Sequence, residues 1–179
     1  MTEIILGITG GIAAYKAADI ANQLTKKADF SVQVIMTDSA AKFITPLTMR
    51  TLTGNRVYTD MFDEAFEPYV RHIALAKRAK AALIAPATAN TIAKLATGVA
   101  DNLLTTTILA MEDKPIVIAP SMNTAMYENP VTQENINKLL RLGARFIEPR
   151  ESILACGDLG RGALAEVDVI VNYMKDLLA

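Results

Sequence analysis

The groups able to do chemistry in this chain are few, and most of them stand just past apolar runs. Ala81 to Ala85 is a short apolar run that ends in Pro86 and the small polar set Thr88, Asn90 and Thr91. It reads as a buried strand that delivers hydroxyls and an amide to the mouth of a sheet. Thr88 is placed to cap a helix from Ala89 to Ala96, whose first turn offers N–H donors and a positive dipole end; that is phosphate-binding chemistry. Gly10 and Gly11, Thr37 with Asp38 and Ser39, and Ser121 with Asn123 follow three other apolar runs in the same way. His72 is the only histidine and Cys156 the only cysteine. A lone cysteine is more often a small buried hydrophobe, but Cys156 sits among glycines with Asp158 two residues on, the setting of a reactive thiol. A lone histidine is ordinarily structural or exposed, and Asn123 reads equally well as a helix cap. Met122 and Met126 read as core packing rather than ligand contacts.

The elements that must carry these groups alternate between strand and helix. Glu3 to Thr9 is a continuous apolar strand, followed by the Gly10-Gly11 turn and a helix from Ile12 to Lys27. Phe30 to Met36 is a second strand. Ala40 to Leu52 reads as a helix carrying Phe43 and broken or kinked near Pro46. Gly54 to Pro68 reads as irregular surface. A helix from Leu103 to Met111, a strand from Pro115 to Ala119, a helix from Val131 to Leu142 closed by Gly143, a short strand from Ala144 to Ile147 and a closing helix from Asp168 to Leu178 complete the series. Between the last two lies Pro149 to Gly162, long for a loop and rich in glycine, which reads as a lid or binding loop. This alternation predicts an α/β fold, a single-domain Rossmann-like (flavodoxin-like) parallel sheet over residues 1–179 with helices on both faces, binding ligands at the C-terminal ends of its strands. Gly7, Gly10 and Gly11 do not reproduce the G-x-G-x-x-G dinucleotide fingerprint, so NAD is a poor match even with Asp38 near the place of a ribose-binding acid.

The bulk properties narrow the function classes. Eighteen Lys and Arg against 19 Asp and Glu give a formal net charge of −1, so no overall field favours nucleic acid or anionic lipid. With one cysteine and one histidine the chain has no disulfide framework and no cysteine-rich or multi-histidine metal site of its own, which fits a cytoplasmic protein. No apolar run approaches the length of a membrane span.

Taken together, TGGIAAYK, His72 in RHIALA, PATANT followed by KLATGVADNLLTTT, PSMNTAMY and LACGDLGRG are distinctive. With them the chain resembles the flavin-dependent cysteine decarboxylases, and among these the phosphopantothenoylcysteine decarboxylases of coenzyme A biosynthesis. The resemblance implies an FMN enzyme assembled as homotrimers, or as assemblies of trimers, with active sites between subunits. It implies flavin contacts at Gly10, Gly11, Ile12, Thr37, Phe43, Thr88, Ala89, Asn90, Thr91 and Ser121. His72 and Cys156 correspond to the catalytic histidine and cysteine, and Asn123, Ala155, Gly157 and Asp158 to substrate contacts. Cys156 favours the biosynthetic enzymes over the oxidative peptidyl-cysteine decarboxylases, which lack it. A flavin prenyltransferase does not carry the HIAL and LACGD segments, and retention of His72, Asn123 and Cys156 in one chain argues against a purely regulatory FMN-binding subunit. The chain departs from the commoner pattern at Lys80, at Tyr127 and at Gly162-Ala163-Leu164, where Arg161 stands close enough to supply a missing charge.

Overall fold

The computed structural model describes residues 1–26, 28–62, 70–153 and 159–179. Six parallel strands form the main sheet: β1 (Thr2–Ile8), β2 (Phe30–Met36), β3 (Val57–Tyr58), β4 (Ala81–Ala87), β5 (Ile116–Pro120) and β6 (Arg145–Phe146). Their order is β3-β2-β1-β4-β5-β6, the doubly wound Rossmann order. Without the two-residue edge strand β3, the order becomes that of flavodoxin-like sheets, so both descriptions apply.

Alternation along the central strands sets the two layers. Ile4, Leu6 and Ile8 of β1 and Val32, Val34 and Met36 of β2 face one core, covered by α1 (Lys16–Lys26), α2 (Pro46–Thr53) and α8 (Val167–Leu178). Ile5, Ile35, Ala82, Ile84 and Ile118 face the other, under α3 (Arg71–Arg78), α4 (Ala89–Thr97), α5 (Leu103–Leu109) and α7 (Pro130–Arg141). β1 and β4 are neighbours, and the chain leaves them toward opposite edges of the sheet. The crevice between their C-terminal ends is therefore the switch point where such sheets bind ligands.

Several elements differ from the sequence expectation. The helix predicted from Ile12 begins as a 3₁₀ turn, Ile12–Tyr15, before α1. Pro46 does not kink a helix; it starts α2, where its missing N–H costs nothing, and the Thr45 hydroxyl accepts from Thr48 N at 3.2 Å as the cap. The stretch read as irregular contributes β3 to the sheet edge, and the segment around His72 forms α3. A short helix, α6 (Thr124–Glu128), follows Asn123.

The expected loop 149–162 is largely a β-hairpin, β7 (Arg150–Ile153) against β8 (Leu159–Ala163). Glycines in β8 hide its strand character in sequence, since glycine is a poor strand former in isolation. They are there because β8 lies directly on the turn after β5. A Cβ at Gly160 would collide with the Thr124 side chain, and one at Gly162 with Met122 O.

Candidate active site

The rim loops after β1, β2, β4 and β5, with one face of the hairpin, enclose a cavity of about 920 Å³ at the switch point. Gly10, Gly11 and Ile12 line it after β1, Thr37 after β2, Thr88, Ala89, Asn90 and Thr91 after β4, and Ser121 and Asn123 after β5. Four stretches far apart in sequence are thus brought to one place. Phe43 is not among the lining residues; it ends the 3₁₀ turn Ala40–Lys42 and is 50% exposed.

The wall is built for close approach of a polar ligand. Gly10 lets the first rim loop touch the second: a Cβ there would overlap the Ser39 side chain and lie 2.9 Å from Ser39 C. Gly11 leaves open space, since a Cβ on it would meet only Thr88 Cγ2 at 3.8 Å. Thr37 Oγ1 accepts from Ala40 N at 3.2 Å and Thr88 Oγ1 from Thr91 N at 3.3 Å, so each hydroxyl closes its loop at a residue that lines the cavity. Gly10→Ala is expected to lower stability by about 1–3 kcal/mol, as overpacking does, by pushing the Ser39 turn away. Thermal unfolding checks it, and an unchanged midpoint would show that the two loops do not need this contact.

Charge at the cavity is partly neutralised. Lys94 Nζ and Asp101 Oδ2 are 2.6 Å apart, and the hydrogen bond from this ammonium holds the Asp101 carboxyl below the ordinary carboxylate range. A depressed carboxyl favours the folded state above its unfolded pKa and loses that contribution as pH falls through its folded value, so the link is intact at neutral pH. Asn102 caps α5, its Oδ1 accepting from Thr105 N at 3.0 Å. Arg150 Nε bonds Leu164 O at 3.1 Å and faces Glu166 at 3.2 Å. Lys16, on the cavity wall at the start of α1, has no ion-pair partner among the described residues, and Asp38 on the same wall carries the opposite charge.

Asn123 does cap α6, its Oδ1 accepting from Ala125 N at 2.9 Å, and it also lines the cavity. β8 holds this turn in place: Met122 N donates to Gly162 O at 2.9 Å. Arg161 is not among the residues lining the cavity. Its guanidinium is 2.6 Å from Glu148 Oε2 and lies over the Tyr127 ring, while the Tyr127 hydroxyl donates to the same carboxylate at 3.1 Å. Burial, with Glu148 adding to it, raises the Tyr127 pKa above the ordinary phenol value, so the hydroxyl remains a donor at neutral pH.

His72 lies in the first turn of α3, partly buried, and is not on the cavity wall. The adjacent Arg71 donates to Asp60 O at 2.9 Å, next to the cavity-lining Thr59, so the start of α3 is tied to that wall. Ala155, Cys156, Gly157 and Asp158 lie outside the described residues. Met122 and Met126, read as core packing, both line the cavity; Met122 also packs against the second core as expected, whereas Met126 is 50% exposed. Sequence reasoning also passed over Lys16, Lys94, Arg150 and Ile153, whose only signal is proximity to the rim loops. Among the described residues no group of three or more His, Cys, Asp or Glu side chains gathers as a metal site, and no helix is long and apolar enough to cross a membrane.

Glycine turns, hydroxyls and free helix-start donors around one crevice suit a phosphate-bearing, partly planar ligand. The profile of the Flavoprotein family matches residues 1–179. The chain belongs to this family. A relative from Streptococcus mutans, described as a probable phosphopantothenoylcysteine decarboxylase, is 49% identical over 177 residues, covering 98% of both chains. The coenzyme A biosynthesis bifunctional protein CoaBC of Bacillus subtilis is 47% identical over 173 residues, and the match spans 97% of this chain but 42% of that longer relative. Among solved structures, a PPC decarboxylase mutant complexed with pantothenoylaminoethenethiol superposes with a TM-score of 0.90 at 33% identity, covering 99% and 98% of the two chains. The FMN-binding protein AtHal3 gives 0.86 at 34% identity over 98% and 96%.

Proposed function

We propose that this chain is an FMN-dependent phosphopantothenoylcysteine decarboxylase, with residues 1–179 acting as one flavoprotein domain that converts 4'-phosphopantothenoylcysteine to 4'-phosphopantetheine in coenzyme A biosynthesis. The observation that carries this reading is end-to-end similarity to a relative of that description, at 49% identity over 98% of both chains. The cavity fits the cofactor: Gly10 and Gly11 permit close approach, Thr37, Thr88 and Ser121 offer hydroxyls, and the first turn of α4 offers backbone donors.

When bound, FMN would supply a reversible two-electron sink for the substrate carbon that bears sulfur. That sink is needed because direct loss of CO2 from a cysteine carboxylate would leave an unstabilised carbanion. His72 acts in the first half, as the base for the thiol proton or as the group that orients the acid. Asn123 binds the substrate carboxylate through its amide N–H2, its Oδ1 being engaged by Ala125 N. A neutral amide holds the carboxylate without the charge pairing of an arginine, which would oppose its departure as CO2. Cys156 protonates the enethiolate left behind, so that the returned hydride completes a redox-neutral cycle; Ala155, Gly157 and Asp158 belong to the same substrate-binding segment in this reading.

The site is completed between copies. His72 stands off the cavity within one chain, and Ile12, Tyr15 and Met126 at the cavity are 61%, 59% and 50% exposed, an apolar margin suited to a neighbouring subunit. Homotrimers, alone or in larger assemblies, would bring His72 of one copy to the cavity of the next. Sedimentation of the FMN-loaded chain during turnover tests this, with activity confined to trimers or their multiples; an active monomer would contradict it. For the reaction itself, CO2 release from phosphopantothenoylcysteine is compared with release from a peptide ending in cysteine. Preference for the peptide would assign the chain to the peptide-modifying enzymes.

Cys156→Ser is expected to release CO2 but stall, accumulating enethiol product and reduced flavin. Flavin absorbance in anaerobic single turnover reports it. Full reoxidation with formation of phosphopantetheine would remove Cys156 from the protonation step.

A further inference from the structure

Thr9, the residue after β1, is 1% exposed; its backbone N–H donates to Pro86 O at 3.3 Å, and its hydroxyl makes two further hydrogen bonds across the switch point. Its hydroxyl donates to Pro86 O at 2.7 Å and accepts from Thr88 N at 3.0 Å. A hydroxyl donates and accepts at one atom, which a thiol of the same size does only weakly.

An α-helix leaves its first four N–H groups without partners inside the helix. At the start of α4, Ile92 N is the first to bond within it, to Thr88 O at 3.0 Å, so the four orphans are those of Thr88, Ala89, Asn90 and Thr91. Thr9 takes the first and the Thr88 hydroxyl takes the last. The donors left over are Ala89 N and Asn90 N, and both residues line the cavity.

We propose that Thr9 is a positioning residue for the anionic end of the bound cofactor. By anchoring Thr88 N to β1 it sets the pitch of the first turn of α4 and selects Ala89 N and Asn90 N as the pair presented to the phosphate. The proposal rests on the FMN reading, and specifically on a phosphate at the start of α4. Loss of the Thr9 hydroxyl orphans Thr88 N, and the cap rotates to find another acceptor.

The test titrates the flavin-stripped full chain with FMN and with riboflavin, which lacks the phosphate, following quenching of flavin fluorescence. Thr9→Val keeps the shape and removes the hydroxyl; Thr9→Ser keeps the hydroxyl. In Thr9→Val, FMN affinity is expected to fall by about tenfold or more and riboflavin affinity by less than about threefold, with Thr9→Ser close to the parent. A role in stability alone would lower the melting temperature and leave the ratio of FMN to riboflavin affinity unchanged, and that result overturns the proposal. So does a serine variant that behaves like valine. If Thr9→Val does not fold, Thr9→Cys, with its weak donor, is compared with Thr9→Ser by the same ratio, and equal ratios overturn the assignment. A parent chain that binds riboflavin as well as FMN would instead remove the phosphate reading on which the proposal stands.

Discussion

His72→Asn is expected to stay folded and flavin-loaded while CO2 release falls by about 10²- to 10⁴-fold, the usual range for loss of a general acid or base. The fold has little stake in this side chain. It lies in the first turn of α3, whose cap residue Val70 makes no side-chain cap bond, and the buried positions of that helix are Arg71, Leu75 and Ala76. Flavin is expected to stay bound as well, because within one chain the cavity wall forms without His72 and the proton proposed for it belongs to the substrate rather than to the cofactor. The variant should therefore separate binding from chemistry: unchanged absorbance of bound FMN, unchanged sedimentation, and no CO2. Normal release would exclude His72 from the mechanism, and loss of flavin would move it into the binding site.

Asn123→Asp should lower kcat/KM for phosphopantothenoylcysteine by about 10²-fold or more, through removal of a donor to a charged group and the repulsion that replaces it. Aspartate caps helices as well as asparagine does. Its carboxylate can still accept from Ala125 N, as Asn123 Oδ1 does at 2.9 Å, so α6 and the β8 strand resting on it keep their support. What changes is the other end of the side chain, where an N–H2 that could bind the substrate carboxylate becomes a second anion. Steady-state kinetics should place much of the loss in KM, with FMN affinity and melting temperature near those of the parent. Equal kcat/KM for the two chains would mean that Asn123 is a cap and nothing more.

Much of the sheet and of its rim was legible in sequence because local chemistry and global position agree there. PATANT ends an apolar run, supplies a hydroxyl at the helix cap and is followed nine residues after Thr88 by Thr97 and then Gly98, whose φ of 73° closes α4. The same agreement marks Gly10, Thr37 and Ser121, each just beyond a strand buried on both faces. What was not legible depends on contacts between distant segments. The glycines of β8 look like loop residues until Thr124 and Met122 are seen against them. Pro46 reads as a break unless the Thr45 cap is recognised as a helix start. Two-residue strands such as β3 and β6 carry too few side chains for a period to show. Met122 and Met126 have core-like side chains; Met122 does pack against the second core, and only the packing of β8 and α6 shows that both also line the cavity. Thr9 is the clearest case, for it reads as the last residue of a strand, while its hydrogen bonds are made to residues 77 and 79 positions away. Phe43 and His72, carried over from the resemblance, stand off the cavity of a single chain, and a sequence cannot say from which copy a residue reaches a site.

In the cycle proposed for this chain, electrons removed from the substrate are given back. The most direct measurement is the mass of the product after the purified, FMN-loaded chain has acted on phosphopantothenoylcysteine. The expected product is lighter than the substrate by CO2 alone, with the flavin oxidised at the end. A product lighter by CO2 and two further hydrogens would contradict this cycle, and would make the chain an oxidative decarboxylase in which Cys156 plays another part.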